Sequence, residues 1–174
     1  MSRIAALLVL GICFVITACR RSPSASLNLP PPPSRAEVWA AIQPQATRYH
    51  IEPSFIYALV AVESDFLPSA QQGEARGLLQ LKPAAWQAVA DTAYEPNVWD
   101  WRRNLETGID YLAYLRSALY RKGKFSYPLW AASFYYGYDF VEARDFDLRR
   151  ISPPGHPVAQ ALWRGELAPL PPPR

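Results

Sequence analysis

The sequence predicts an all-α fold. Apolar residues recur at helical intervals in several segments, and none shows the strict alternation of a half-buried strand. At most, a small extended or hairpin-like patch is expected around residues 76–82. Half of the 174 residues are apolar and 13% are aromatic, enough for one domain with a core. The net charge of +3 is small and interleaved with acidic residues, which argues against nucleic-acid binding.

Residues 1–18 have the features of a signal peptide. Arg3 precedes an uncharged stretch, residues 4–17, that is too short to span a bilayer and about as long as a signal-peptide core. Residues 16–19 read ITAC, which resembles the bacterial lipobox. The resemblance implies that Cys19 is lipidated and anchors the protein, and Arg20 after it favours the outer membrane, facing the periplasm. An uncleaved N-terminal anchor remains the alternative.

Residues 19–34 are expected to form a tether between this cysteine and a domain at 35–150. Residues 20–34 lack apolar periodicity and contain four consecutive prolines, which is typical of an extended, partly polyproline segment. At about 3.1 Å per residue, such a segment would hold the domain roughly 45 Å from the membrane.

The first two helices are predicted from capping and proline signals. Residues 34–37 (SRAE) have the spacing of a capping box, and apolar residues follow at helical intervals up to Ala46. A central helix is predicted over 53–65, because proline suits its first turn and Pro68 forbids continuation. Eight consecutive apolar residues, 55–62, leave this helix without a polar face, so we expect it to be buried.

Further helices are predicted in the second half of the domain. They are a short helix from Pro83 to Val89, an amphipathic helix from Leu105 to Leu119 closed near Gly123, a buried helix over 127–136 that stops at Gly137, and a last helix capped by Asp139 that reaches Arg149. Residues 151–174 form a proline-rich tail, which either packs through Leu162 and Trp163 or hangs free.

Glu63 is the candidate catalytic residue. It lies in the last turn of the central helix, where the negative end of the helix dipole and the apolar surroundings disfavour a charged carboxylate. Both effects raise its pKa toward the range that a general acid needs. The alternative is a helix-ending glutamate that turns to solvent. The sequence has no phosphate-binding loop, and His50 and His156 lie far apart without neighbours at ligand spacing, so no metal or cofactor is expected.

Four short motifs, taken together, resemble the soluble-lytic-transglycosylase-type (SLT) domain in order and spacing. They are ESDF at 63–66, GLLQL at 77–81, Asn104 followed by Gly108, Tyr111 and Leu112, and ASFYYG at 132–137. The resemblance covers about residues 36–145. It implies a lysozyme-like, goose-lysozyme-like α fold with a groove for a peptidoglycan glycan strand. Cleavage between N-acetylmuramic acid and N-acetylglucosamine would leave a 1,6-anhydromuramyl end.

The same resemblance assigns roles to individual residues. It places the catalytic glutamate on Glu63, which would act alone as acid and then as base, and the groove glutamine on Gln80. It implies further substrate contacts at Ser64, Phe134 and Tyr135. By contrast, the Asn104 motif is expected to hold its helix against the core rather than to touch substrate.

Two positions depart from the family pattern. Phe134 stands where the family has a tyrosine beside the catalytic glutamate, and Tyr135 stands where it has an asparagine. Tyr135 or Tyr136 would supply the missing hydroxyl only after a local shift. These departures leave the acid in place and put its orientation in question.

Three functions therefore remain open. The first is an active, lipid-anchored lytic transglycosylase that serves general wall turnover or an envelope-spanning machine. The second is a goose-type lysozyme-like hydrolase, in which Glu74 or Asp65 activates water as a second carboxylate. The third is a catalytically silent peptidoglycan-binding or scaffold lipoprotein. The partners expected in all three are glycan strands and, through the anchor, a membrane.

Overall fold

A computed structural model describes residues 32–174, so the signal peptide, Cys19 and most of the tether lie outside the described residues. The all-α prediction is confirmed. The helices are α1 (Arg35–Tyr49), α2 (Pro53–Ser64), α3 (Pro83–Gln87), α4 (Trp101–Arg121), α5 (Tyr127–Tyr136), α6 (Tyr138–Glu142) and α7 (Pro157–Trp163), with 3₁₀ turns at Asn97–Trp99 and Leu148–Arg150. Within residues 32–174 no helix is both long and apolar enough to cross a bilayer.

The predicted capping box starts α1. The Ser34 hydroxyl accepts a hydrogen bond from the Glu37 N–H at 3.2 Å, and the Glu37 carboxylate accepts one from the Ser34 N–H at 2.8 Å. These two bonds satisfy donors that a helix start would otherwise leave unpaired. The helix ends at His50, which adopts the left-handed conformation with φ of 52°.

Helix α2 is the centre of the core, as its apolar run predicts. Residues 55–61 are each at most 6% exposed, and α1 and α7 pack against the helix. Pro53 occupies the first turn, and Asp65, with φ of 48°, ends the helix in the left-handed conformation. Glu63 is therefore carried at the end of a rigid, fully packed element.

A short hairpin follows, but its strands lie earlier than predicted. Strand β1 (Gln71–Gln72) pairs antiparallel with β2 (Ala75–Arg76), and within 76–82 the pairing is limited to one bridge between Arg76 and Leu81. Residues 77–80 form a turn instead, because Gly77 and Gln80 both have positive φ, at 78° and 44°. Because two residues within four positions have positive φ, this segment leaves the extended conformation and cannot continue as a β-strand.

Three helices in the second half have other bounds than predicted. Helix α3 ends at Gln87, two residues before the predicted Val89. Helix α4 begins at Trp101, four residues early, because the Asp100 carboxylate accepts hydrogen bonds from the Arg102 and Arg103 N–H groups. The last predicted helix, capped by Asp139 and reaching Arg149, is wrong at both ends. Helix α6 spans Tyr138–Glu142 and stops well before Arg149, because residues 145 and 146 adopt positive φ and break it.

The segment 151–174, for which packing and hanging free were both open, packs against the domain. Helix α7 contacts α2 and α5, and its Ala159 and Leu162 are 1% and 2% exposed. The Trp163 ring makes edge-to-face contacts with Tyr135 and Tyr136, with centroid distances of 6.4 and 6.0 Å. The folded unit therefore continues beyond residue 150.

Candidate active site

Glu63 opens into a cleft between α2, the hairpin and α5. The central part of this cleft has a volume of about 390 Å³. Its lining combines apolar, aromatic and polar side chains and consists of Glu63, Gln72, Ala75, Leu79, Gln80, Leu81, Lys82, Ala85, Tyr111, Phe134, Tyr135, Tyr136 and Gly137. Mostly apolar concave sites with a few convergent polar groups are typical of ligand-binding sites.

The cleft continues in two directions from its centre. One extension, which we call the outer arm, shares Glu63, Gln72 and Gln80 with the centre and reaches His156. The other, the basic arm, shares Lys82 and Tyr111 with the centre and reaches Arg121 and Lys122. The arms have no lining residue in common, so they leave the centre at different ends. Such a groove suits an extended chain rather than a compact ligand.

Glu63 is placed as a general acid requires. The residue as a whole is partly exposed, but its Oε1 is buried and has no hydrogen-bond partner among the described residues. Burial of the carboxyl raises the pKa of Glu63 from 4.5 to about 8, against the opposing positive charge of Lys82. The burial of the Glu63 carboxyl, which the apolar run of α2 predicts, is thus present. The carboxyl does not extend freely into solvent.

Gln80 presents one defined hydrogen-bonding group to the cleft. Its amide nitrogen donates to the carbonyl oxygens of Ala70 and Gly77 at 2.9 and 2.8 Å, which fixes the orientation of the amide. Both N–H atoms are therefore occupied by the backbone. The oxygen Oε1 remains as an acceptor for a hydroxyl or amide N–H of a ligand.

Asn104 holds the loop that carries Gln80. Its side-chain oxygen accepts from the Leu79 N–H at 2.9 Å, and its nitrogen donates to the carbonyls of Arg76 and Val98 at 2.9 and 3.1 Å. Asn104 is completely buried, and a Cβ added at Gly77 would lie 2.2 Å from its Nδ2. The loop and α4 therefore lock together, as expected for a residue with a structural role.

Two further residues of this motif, Gly108 and Tyr111, differ in what they contact. A Cβ added at Gly108 would lie 2.4 Å from Leu79 Cδ1, so the missing side chain lets α4 approach the loop closely. Tyr111, in contrast, lines both the central cleft and the basic arm. Tyr111 was expected to hold its helix against the core rather than to touch substrate; it also borders the space that a ligand would occupy.

Ser64 and the two alternative carboxylates lie away from the centre of the cleft. The Ser64 hydroxyl donates to the Val60 carbonyl at 3.1 Å within α2, and the residue borders only the outer arm; its substrate contact stays a prediction. Asp65 also borders the outer arm, and its carboxylate is bound by Arg35 at 3.1 Å. Glu74 is exposed in the hairpin turn and does not line the cleft.

Phe134 and Tyr135 both line the central cleft, as the resemblance implies for substrate contacts. Burial, and second to it the charge of Glu63, raises the pKa of Tyr135, so this ring lies near the acid. The Tyr136 hydroxyl donates to the Ser152 carbonyl at 2.7 Å and is already committed. Among the described residues neither tyrosine donates a hydrogen bond to the buried Oε1 of Glu63.

Phe134→Tyr is expected to give at least wild-type activity. The added hydroxyl would sit in the cleft that holds the unpaired Glu63 oxygen, and one hydrogen bond to this group is worth up to about tenfold in rate. The measurement is the initial rate of product release from purified sacculi. A collapse of activity in a folded variant would show that the motif is misaligned and that Tyr135 already orients the acid.

Two cleft residues were not identified as site residues from the sequence. Lys82 follows the GLLQL motif without any pattern of its own, and His156 lies outside the four motifs. Only a fold that brings α7 next to α2 reveals His156. Across residues 32–174 no cluster of three or more His, Cys, Asp or Glu is placed to hold a metal ion.

Comparison with known proteins agrees with this architecture. The family model described as "Transglycosylase SLT domain" matches residues 40–136, more than half of the chain. A solved structure of an inactive mutant of the lytic transglycosylase Slt from Pseudomonas aeruginosa aligns with a TM-score of 0.54 and 22% identity, over 75% of this chain and 20% of that one. The chain thus spans about a fifth of the length of Slt. Comparison with curated protein sequences gave no match. The resemblance seen in the sequence is confirmed, and the chain belongs to the SLT family of lytic transglycosylases, with their lysozyme-like fold.

Proposed function

We propose that this protein cleaves the β-1,4 bond between N-acetylmuramic acid and N-acetylglucosamine in peptidoglycan and leaves 1,6-anhydromuramyl ends. The observation that carries the proposal is the buried, unpaired Oε1 of Glu63 in the cleft of an SLT-family chain. Because burial raises the pKa of Glu63 to about 8, the carboxyl holds its proton near neutral pH. It can therefore protonate a leaving oxygen.

The reaction needs one carboxyl group in two successive states. Glu63 first donates its proton to the glycosidic oxygen as the bond to the muramyl C1 breaks. The resulting carboxylate then accepts the proton of the sugar's own 6-hydroxyl, which attacks C1 and closes the anhydro ring. The reaction consumes no water, because the attacking 6-hydroxyl belongs to the substrate itself. Lys82, whose positive charge opposes the rise in pKa, favours the transient carboxylate.

The positions of the other carboxylates support this mechanism over hydrolysis. A hydrolase uses a second carboxylate to deliver water or to form a covalent intermediate. Within the described residues that line the central cleft, Glu63 is the only one with a carboxyl group, and Asp65, which borders the outer arm, is bound by Arg35. An anhydro-forming reaction fits this arrangement without a further group.

The experiment that tests the proposal is mass spectrometry of muropeptides released from purified sacculi. The proposed reaction gives anhydro ends. Reducing ends would instead identify a goose-type hydrolase, and no release from a folded protein would identify a silent binding or scaffold protein. The replacement of the family tyrosine by Phe134 is the observation that keeps the silent alternative worth testing.

We also propose that the protein is anchored through a lipid on Cys19 and faces the periplasm from the outer membrane. The lipobox-like sequence at 16–19 and the proline-rich residues after it support this proposal. Cys19→Ser is expected to leave an unprocessed precursor that incorporates no labelled palmitate, because the thiol is the site of the thioether bond. Wild-type protein labelled in parallel is the control. Continued processing and labelling of the variant would refute the anchor.

A further inference from the structure

The C-terminal segment lies beyond the region matched by the family model, yet it borders the cleft. The family match ends at residue 136, whereas His156, at the start of α7, lines the outer arm together with Glu63, Gln72 and Gln80. Residues on this segment are therefore candidates for roles that the family match does not cover.

The imidazole of His156 has one free donor. Its Nδ1 accepts a hydrogen bond from the Val158 N–H at 3.2 Å and so caps α7. In the neutral ring the proton must then be on Nε2, since one nitrogen accepts and the other donates. His156 is exposed, so this N–H is accessible to a ligand in the outer arm.

The position of His156 is coupled to residues at the centre of the cleft. The Ser152 carbonyl, four residues before it, accepts the hydrogen bond from the Tyr136 hydroxyl at 2.7 Å. On the other side, the Trp163 ring packs edge-to-face against Tyr135 and Tyr136. The segment is thus attached at two points to the helix that carries Phe134 and Tyr135, and His156 is held between them.

We propose that His156 contacts substrate, donating its Nε2–H to a hydroxyl, acetamide or carboxylate oxygen of a glycan strand that passes Glu63 into the outer arm. The inference rests on the proposed function and extends it. Since the basic arm leaves the centre at the other end, a bound strand would occupy both sides of Glu63. His156 would then favour strands long enough to reach the outer arm over short fragments.

The test compares His156→Ser with wild type in two measurements. Serine is one of the preferred N-cap residues, so α7 should be retained. The imidazole ring and its N–H donor are lost. We expect a five- to tenfold rise in the apparent KM for sacculi with little change in kcat, about the effect of one neutral hydrogen bond. In a Glu63→Gln background, we expect a similar loss of affinity for a hexamer of N-acetylglucosamine.

His156→Asp is the second variant, because aspartate also caps the helix but has no N–H to donate. Gln160→Ala, at an exposed position of α7 that does not line the cleft, is the matched control and should bind like wild type. If either His156 variant folds and keeps wild-type KM and hexamer affinity, the proposal is overturned. Failure of the proposed function would look different, since wild type itself would then release no anhydro ends.

Discussion

Glu63→Gln is expected to reduce the release of anhydromuropeptides by at least about two orders of magnitude. Glutamine keeps the shape and hydrogen-bonding capacity of the side chain but has no proton to transfer, so the glycosidic oxygen would leave as an alkoxide. General acid–base groups typically contribute about 10²- to 10⁴-fold in rate. The measurement is the initial rate of release from sacculi. Binding of glycan should persist, because the cleft keeps its shape.

The same substitution should stabilise the fold at neutral and alkaline pH. Folding raises the pKa of Glu63 from 4.5 to about 8, so its contribution to stability is fully present below pH 4.5 and is lost as pH rises through about 8. Glutamine does not titrate. The melting temperature of the variant minus that of wild type should therefore increase from pH 5 to pH 9. In wild type, the rate should fall above about pH 8 as the acid loses its proton.

Glu74→Gln is the control for this experiment. Glu74 is exposed in the hairpin turn, and the proposed reaction needs no second carboxylate, so release should match wild type. Two results would contradict the mechanism. One is near-wild-type release of anhydro ends by Glu63→Gln, and the other is a complete loss of release by a folded Glu74→Gln protein.

Asn104→Ala is expected to lower the free energy of unfolding by about 3–5 kcal/mol. The substitution leaves the Leu79 N–H and the Val98 carbonyl without the partner that they have in the folded protein, whereas the Arg76 carbonyl keeps its hydrogen bond from the Leu81 N–H. Each buried group left unpaired costs about 1–3 kcal/mol. Urea unfolding measures the effect as a lower midpoint with an unchanged slope. Activity should fall by about tenfold or more, because the loop carries Gln80.

Asn97→Ala provides the matched control. Asn97 makes side-chain hydrogen bonds with Ala93 and Arg103 near the surface, where water can replace the lost partner. Its effect should stay within about 1 kcal/mol. Equal stability losses in the two variants, or an Asn104→Ala protein as stable and active as wild type, would show that another contact holds the loop.

The parts predicted well from the sequence are those that depend on local patterns. The apolar run of α2 dictated its burial and the place of Glu63 at its end, and the Ser34–Glu37 spacing dictated the start of α1. The hairpin lies earlier than the predicted patch at 76–82 because Gln80, a residue type without a preference for positive φ, adopts that conformation and turns the backbone there. The local sequence pattern does not indicate that a glutamine will adopt a positive φ.

Residues brought to the cleft by long-range packing could not be predicted. Tyr111 has the spacing of a core residue on α4, yet it lines the cleft together with residues of α5, which packs against α4. Similarly, nothing near His156 in the sequence suggests chemistry; its place in the outer arm, which Glu63 also lines, follows from the docking of α7 against α2. The four motifs located the acid, whereas the tertiary fold determines its neighbours.

The docking of α7 also bears on where this protein can be cut or fused. The family match ends at residue 136, but the apolar faces of α2 and α5 are covered by residues of α7 such as Leu162. A chain shortened to the matched region would present those faces to water, where such surfaces promote aggregation. The unit that folds cooperatively is thus longer than the unit by which the family is recognised, and any hybrid protein should keep the chain through α7.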